Sequence, residues 1–181
     1  FYTKDLKQPL ASYGEKLATV TFQKDLGSTA DKVARVAKLA AHIARELKAD
    51  AVAAERAAQL CKNDLVTKMV YEFPELQGLM GGYYAAKSGE GEAVARAIRE
   101  HYLPTQQGTG IPATREGQIV ALADKLDTLA GIFAIGQKPS GTRDPFGLRR
   151  AALGVLRTIL ERQLDLDLRQ LVGRGVAAQP V

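Results

Sequence analysis

The chain has 181 residues, 46% of them hydrophobic and 25% charged, which is enough to bury a core and excludes a disordered tail. Its 25 Lys and Arg against 20 Asp and Glu leave a net charge of +5, which permits an anionic partner without demanding one. The single cysteine, Cys61, excludes an internal disulfide framework and a cysteine-based zinc site, and no apolar run approaches the roughly 20 residues of a membrane span.

Periodicity predicts helix nearly throughout. Val33, Val36, Ala37, Ala40, Ile43, Ala44 and Leu47 form one apolar stripe, with Ser28 as its N-cap and Asp31 completing a capping-box pattern. An Ala-rich helix follows over 50–61, then a segment from Asp64 through Met69, and Pro74 is placed to open the next helix as its first residue. Gly78, Gly81 and Gly82 loosen that helix or bring another backbone close to it. A turn at Ser88 to Gly91 precedes a helix from Glu92 to Tyr102 with Val94, Ala97 and Ile98 facing in. Residues 103–113 form the clearest loop. Thr114 then opens the longest helix, with Ile119, Leu122, Leu126, Leu129 and Phe133 inward and Gly136 at its end. Asp144-Pro145 starts a last clear helix over 145–162, expected to bury Phe146, Leu153, Leu156 and Leu160. Ala18 to Phe22 is the only weak strand candidate, so the fold class is all-α. The expected division is a helical domain over 1–172, with 1–27 as its lead-in, and a frayed tail over 173–181. The start at Phe1 suggests a piece of a longer protein, and the composition suits a soluble, cytoplasmic one.

Two histidines limit acid–base and metal chemistry, and His42 and His101 read best as packed structural residues. Asp64 and Asp124, on separate segments, can together hold a hard cation such as magnesium. They can equally cap helices or pair with Lys32, Lys62 or Arg35. Asp124 shares a face with Val120, Asp127 and Thr128, which predicts partial burial. The charge is unevenly spread: residues 70–137 carry five positive and eight negative charges, while 138–181 carry eight and four. Arg143, Arg150 and Arg157, spaced seven apart, fall on one helical stripe near Lys138 and Arg149, and such a row can neutralise successive phosphates. A solvated face, with Glu161 pairing Arg157, accounts for them as well.

The runs FQKDLGSTADKVARVAKLA, CKNDLVTKMVYEFPELQGLMGGYYA, VALADKLDTLAGIFAIG and SGTRDPFGLRRAALGVLR, in that order, resemble the central region of the bacterial glycyl-tRNA synthetase beta subunit over residues 1–172. That region is in turn similar to HD-domain phosphohydrolases, all-helical proteins built around a His, His-Asp, Asp metal site. Matching the patterns puts Lys32 at the first His, Asn63-Asp64 at the His-Asp pair and Asp124 at the last Asp. The resemblance therefore implies a compact HD-like fold whose metal site is degenerate and holds no metal. A lysine ammonium would stand where the ion should sit, and a Lys–Asp pairing would satisfy the carboxylates instead.

The resemblance further implies a non-catalytic helical module of a glycine–tRNA ligase. Glycine activation with ATP and magnesium would occur on a separate alpha subunit, in an alpha2beta2 assembly, and this module would help to position tRNA(Gly). Lys138, Arg143, Arg149, Arg150 and Arg157 are the candidate phosphate contacts. The alternatives are a residual metal-dependent phosphohydrolase using Asp64 and Asp124, and a structural spacer between other domains.

Overall fold

A computed structural model describes residues 1–181. The chain enters through a four-residue helix, α1 (Tyr2–Asp5), and a 3-10 stretch over Leu10–Thr19. Asp5 pins this lead-in: its carboxylate accepts from the backbone N–H groups of Lys68 and Met69 and from the Tyr84 hydroxyl. A short antiparallel ribbon follows, β1 (Thr21–Gln23) against β2 (Gly27–Ser28). This ribbon departs from the expected absence of sheet, and its first strand overlaps the weak candidate at 18–22 in Thr21 and Phe22. Gln23 closes its turn by accepting from Asp25 and Leu26 N–H, and Gly27 takes the positive φ that the turn requires.

The body is helical. In α2 (Thr29–Glu46) the capping box forms as read: Ser28 Oγ accepts from Asp31 N–H at 3.1 Å, and Asp31 Oδ2 accepts from Ser28 N–H at 2.8 Å. The antiparallel partner α3 (Ala51–Leu60) starts on the Asp50 cap. Its Ala54, Ala57 and Ala58 are fully buried, so small side chains let α2 and α3 approach closely. A 3-10 turn over Asn63–Val66 leads to α4 (Lys68–Glu72). Pro74 does stand at a first helical position, although of a single 3-10 turn, Pro74–Leu76. Next come α5 (Leu79–Lys87) and α6 (Glu92–Glu100), then the 103–113 loop.

The central element is α7 (Arg115–Ala134), capped by Thr114. It is buried around most of its circumference and packs against α2, α3 and α6. Of the expected inward stripe, Ile119, Leu122 and Leu126 are buried, but Phe133 is 45% exposed.

Two C-terminal helices cover α7, and here the sequence reading needs correction. Helix α8 (Leu148–Glu161) starts three residues later than expected. Gly147 adopts the left-handed conformation, while the Asp144 carboxylate reaches forward to cap Leu148 and Arg149 N–H at 2.8 and 2.9 Å. The helix also presents the other face: Leu148, Gly154, Val155 and Thr158 are buried, whereas Leu153, Leu156 and Leu160 are 61%, 44% and 73% exposed. Gly154 suits this orientation. A side chain there would meet Lys125 Cε at 2.9 Å and Pro104 Cδ at 3.2 Å, so the glycine lets this face lie close to α7 and the 103–113 loop. The expected frayed tail is instead α9 (Leu168–Ala177), capped by Asp167, with Leu171 and Gly175 packed inward. Beyond it Gln179 is buried and donates to Asp127 Oδ1 and the Gly175 carbonyl. No helix is long and apolar enough to cross a membrane.

Candidate functional site

A line of buried charge runs between α2, the end of α3 and α7. Lys32 from α2 and Lys62, just past α3, reach Asp124 on α7 from two sides. Lys32 Nζ lies 3.3 Å from Asp124 Oδ1 and Lys62 Nζ lies 2.9 Å from Asp124 Oδ2. Lys32 also donates to Asp127 Oδ2 at 3.0 Å and Thr128 Oγ1 at 2.8 Å. Arg35 completes the neutralisation of Asp127, with Nε 2.8 Å from Oδ1. Both ammoniums lie over aromatic rings, Lys32 over Phe22 and Lys62 over Tyr102.

The protonation states follow from these contacts. Burial opposes the charge on Asp124, but Lys62 and Lys32 outweigh it and hold the carboxyl well below the usual carboxylate range. Burial likewise opposes the charge on Lys62, and Asp124 overrides it, holding the ammonium above the usual lysine range. His101 is fully buried, and burial, then Lys62, push its imidazolium down to about 3. Its neutral tautomer is set by its neighbours: Nδ1 meets the Ile98 carbonyl at 2.6 Å and must donate, which leaves Nε2 to accept from Lys62 at 3.0 Å.

Asp64 is engaged elsewhere. Its Oδ2 accepts from Gly78 and Gly81 N–H at 2.7 and 2.9 Å, which ties the 61–67 turn to the start of α5. Gly81 is needed at this approach, since a Cβ would meet Asp64 Oδ2 at 3.0 Å and Ile98 Cγ2 at 2.9 Å. Burial pushes the Asp64 carboxyl up to about 6, against the pull of the two N–H groups. The neighbouring Asn63 amide donates to the Leu10 carbonyl.

A divalent cation does not fit these residues. Asp124 already has an ammonium on each oxygen, Asp64 and Asp124 share no partner, and Asn63 faces the lead-in. No three His, Cys, Asp or Glu side chains converge closely enough to hold an ion. Of the pairings open at the sequence level, Asp124 takes Lys32 and Lys62, while Arg35 takes Asp127. Asp64 takes none of the three and binds backbone instead. The part played by His101, as acceptor for Lys62, has no sequence signal beyond its place on the inward face of α6.

The basic candidates separate on inspection. Lys138, Arg143, Arg149 and Arg150 are exposed. Arg143 precedes α8 in a tight turn with Ser140, so only Arg150 and Arg157 share the helical stripe. Arg157 pairs with Glu161 at 2.8 Å and donates to the Thr109 carbonyl at 3.0 Å, which ties α8 to the 103–113 loop. Two clefts flank α8. One, of about 470 Å³, is lined by Tyr102, Asp124, Lys125, Thr128, Phe146 and Arg150 among others. The other, of about 670 Å³, lies between α8 and the loop, with Arg150, Leu153 and Arg157 facing Gln106, Gln107 and Gly108. Pro104 and Arg150 line both, so the two clefts adjoin at these residues and together make up the channel beside α8. Lys125 reaches the first cleft while its ammonium donates to the His101 and Leu103 carbonyls, and burial pushes it down to about 8.

A family model described as glycyl-tRNA synthetase beta subunit matches residues 1–180. Among curated proteins, the chain is 56% identical over 177 residues to the glycine–tRNA ligase beta subunit of Chromohalobacter salexigens, covering 98% of the chain and 26% of that protein. It is 53% identical over 178 residues to the Pseudomonas fluorescens protein of the same name, with 98% and 26% covered. For the Aromatoleum aromaticum protein the identity is 56% over 173 residues, with 96% and 25% covered. The chain thus spans about a quarter of the length of these relatives.

Proposed function

From the premise that the chain belongs to the glycyl-tRNA synthetase beta-subunit family, we propose that it is a non-catalytic helical module of a glycine–tRNA ligase that grips tRNA(Gly) by its backbone along α8. The observation that carries this reading is the channel beside α8. Arg150 stands in both of its halves, no carboxylate pairs with it, and Lys125 and Arg157 flank it. RNA duplexes are held mainly through shape and phosphate contacts, and a sided row of cations suffices for that. Tyr102 and Phe146 add aromatic surface to the same channel.

The reading extends to the fold. The resemblance to HD phosphohydrolases puts Lys32, Asn63, Asp64 and Asp124 at the positions of a His, His-Asp, Asp site. The Lys32–Asp124–Lys62 pairing supports a site whose metal has been replaced by tethered ammoniums. A hydrolase would need ligands that these residues do not supply. In this reading ATP and magnesium act on the alpha subunit of an alpha2beta2 assembly, in the cytoplasm, and this region lies centrally in the beta subunit.

The test is Arg150→Glu in the intact ligase, with Arg149→Glu as a second exposed position. Each is expected to weaken tRNA binding and to reduce the slope of log affinity against log salt by about one for every phosphate no longer held. The thermal midpoint should not move, because both side chains are exposed. Unchanged tRNA affinity and salt slope in both variants would overturn the assignment of this face.

A further inference from the structure

We propose that the cleft between α2 and α9 is a binding site for a phosphate ester. It lies apart from the α8 channel and stands on its own observations. The cleft measures about 400 Å³, within the range of small-molecule sites. Arg35, Lys38 and His42 line it from one face of α2, at i, i+3 and i+7, and Arg174 lines it from α9.

The charge there is not internally satisfied. Asp127 is the one carboxylate in the lining, and it is saturated: Oδ1 accepts from Arg35 Nε and Gln179 Nε2, and Oδ2 accepts from Lys32 Nζ and Arg35 Nη2. Arg35 is likewise engaged by Asp127 and the Leu26 carbonyl. Lys38 and Arg174 are exposed, and neither has a side-chain hydrogen bond or an ion pair. Two unneutralised cations therefore face a space whose only acid is already paired, which favours an anion of up to two charges.

His42 supplies the second observation. It is only 9% exposed, and its Nε2 has no hydrogen-bond partner, the nearest carboxylate oxygen being Glu46 Oε1 at 3.7 Å. Leaving a buried polar atom without a partner is costly, and an oxyanion within reach of its N–H removes that cost. The Lys38 ammonium and the Arg174 guanidinium are the donors the lining offers a phosphoryl group, and His42, in the tautomer that carries its proton on Nε2, is a third. Ala34, Leu39, Ala177 and Ala178 line the rest, leaving apolar contact for the organic part of an ester. The source is either a free nucleotide or a phosphodiester of an RNA backbone.

The experiment is calorimetric titration of the intact subunit with adenosine 5′-monophosphate, and separately with a short RNA duplex. Lys38→Glu/Arg174→Glu should lower affinity for one of them at least tenfold, and His42→Ala should lower it severalfold. Arg169→Glu, an exposed charge outside the cleft, should leave it unchanged. Loss confined to the nucleotide identifies a free ester as the ligand, and loss with the duplex identifies a backbone phosphate. The thermal midpoint of each variant is recorded, and the double variant on two exposed positions keeps the test valid if His42→Ala fails to fold. Binding of both probes unaffected by the double variant, or no saturable binding of either to the wild type, would overturn the proposal.

Discussion

Replacing Lys62 with methionine tests whether the buried charges act as paired ions. The Lys62 ammonium lies 2.9 Å from Asp124 Oδ2, both residues are buried, and the only other cation on that carboxylate is Lys32, 3.3 Å from Oδ1. At an effective dielectric constant near 20, unit charges at the 2.9 Å separation attract by roughly 6 kcal/mol. Desolvating two ions costs several kcal/mol each, so the intact pair contributes little net stability. Removing one member is different, because the other charge stays buried, and the usual cost is about 3–5 kcal/mol. Lys32 remains beside Asp124, which places Lys62→Met near the lower end, at about 3 kcal/mol, or roughly 6–12 °C in Tm for a domain of this size. Asp124→Leu alone leaves Lys62 with only His101 Nε2 as an acceptor and should cost a similar amount. Combining the two removes both charges, and Lys32 retains Asp127 at 3.0 Å. Urea unfolding of the wild type, the two single variants and the double variant at pH 7.5 gives the cycle. The expected coupling is about 2 kcal/mol, with the double variant more stable than the sum of the singles predicts. A Lys62→Met loss below about 1 kcal/mol, or a coupling near zero, would refute the paired-ion account.

The remaining predictions concern pH, the exposed face of α8 and metal. Asp64 rises from its ordinary 3.8 to about 6 on folding, so the folded state holds the extra proton between those values and stability falls as pH rises through that window. His101 drops from 6.5 to about 3, so its contribution is complete above pH 6.5 and is lost as pH falls below it. From pH 8 to pH 5 His101 costs roughly 2 kcal/mol while Asp64 returns about 1.4, which makes the wild-type profile shallow. Asp64→Asn should expose the full His101 slope, and urea midpoints for this variant that do not change between pH 8 and pH 5 would contradict it. Leu153→Gln and Leu160→Gln should each change stability by no more than about 0.5 kcal/mol, against the 2–5 kcal/mol typical of truncating a buried leucine. Chelation should leave Tm unchanged, because the ammoniums of Lys32 and Lys62 are covalently tethered counter-ions. A bound cation at a hundred times its Kd would add about 2.7 kcal/mol, so a drop of roughly 5 °C or more on adding EDTA would show that a metal does bind.

Local chemistry explains which parts of this molecule could be read in advance. Ser28 and Asp31 begin α2 because both partners of the capping box lie within four residues of chain, and Thr114 begins α7 for the same kind of reason. The face of α8 was not readable, because the helix has two apolar stripes. Volume alone favours Leu153, Leu156 and Leu160 over Leu148, Val155 and Thr158. The buried face is the one where Gly154 allows close approach to Lys125, a contact with a residue 29 positions away. The tail over 173–181 looked frayed because Gly173, Gly175 and the alanines carry little hydrophobic signal. Yet Gly175 packs against Ala130 because it is small, and Gln179 is held by Asp127. The charge site divides along the same line. Lys32 and Asp124 could be matched from the chain, and Arg35 was available as a partner, but sequence distance hid that Asp127 rather than Asp124 receives it. Lys62 was likewise among the partners open to Asp64 and Asp124, but the chain does not say which of the two carboxylates it meets or that it is buried. It is buried because α3 is alanine-rich: with Ala54, Ala57 and Ala58 in the contact, the helix lies deep enough to carry its C-terminal lysine to Asp124 and His101. Small side chains at a helix contact thus determine where a charged group ends up, and that consequence appears only once the helices are assembled.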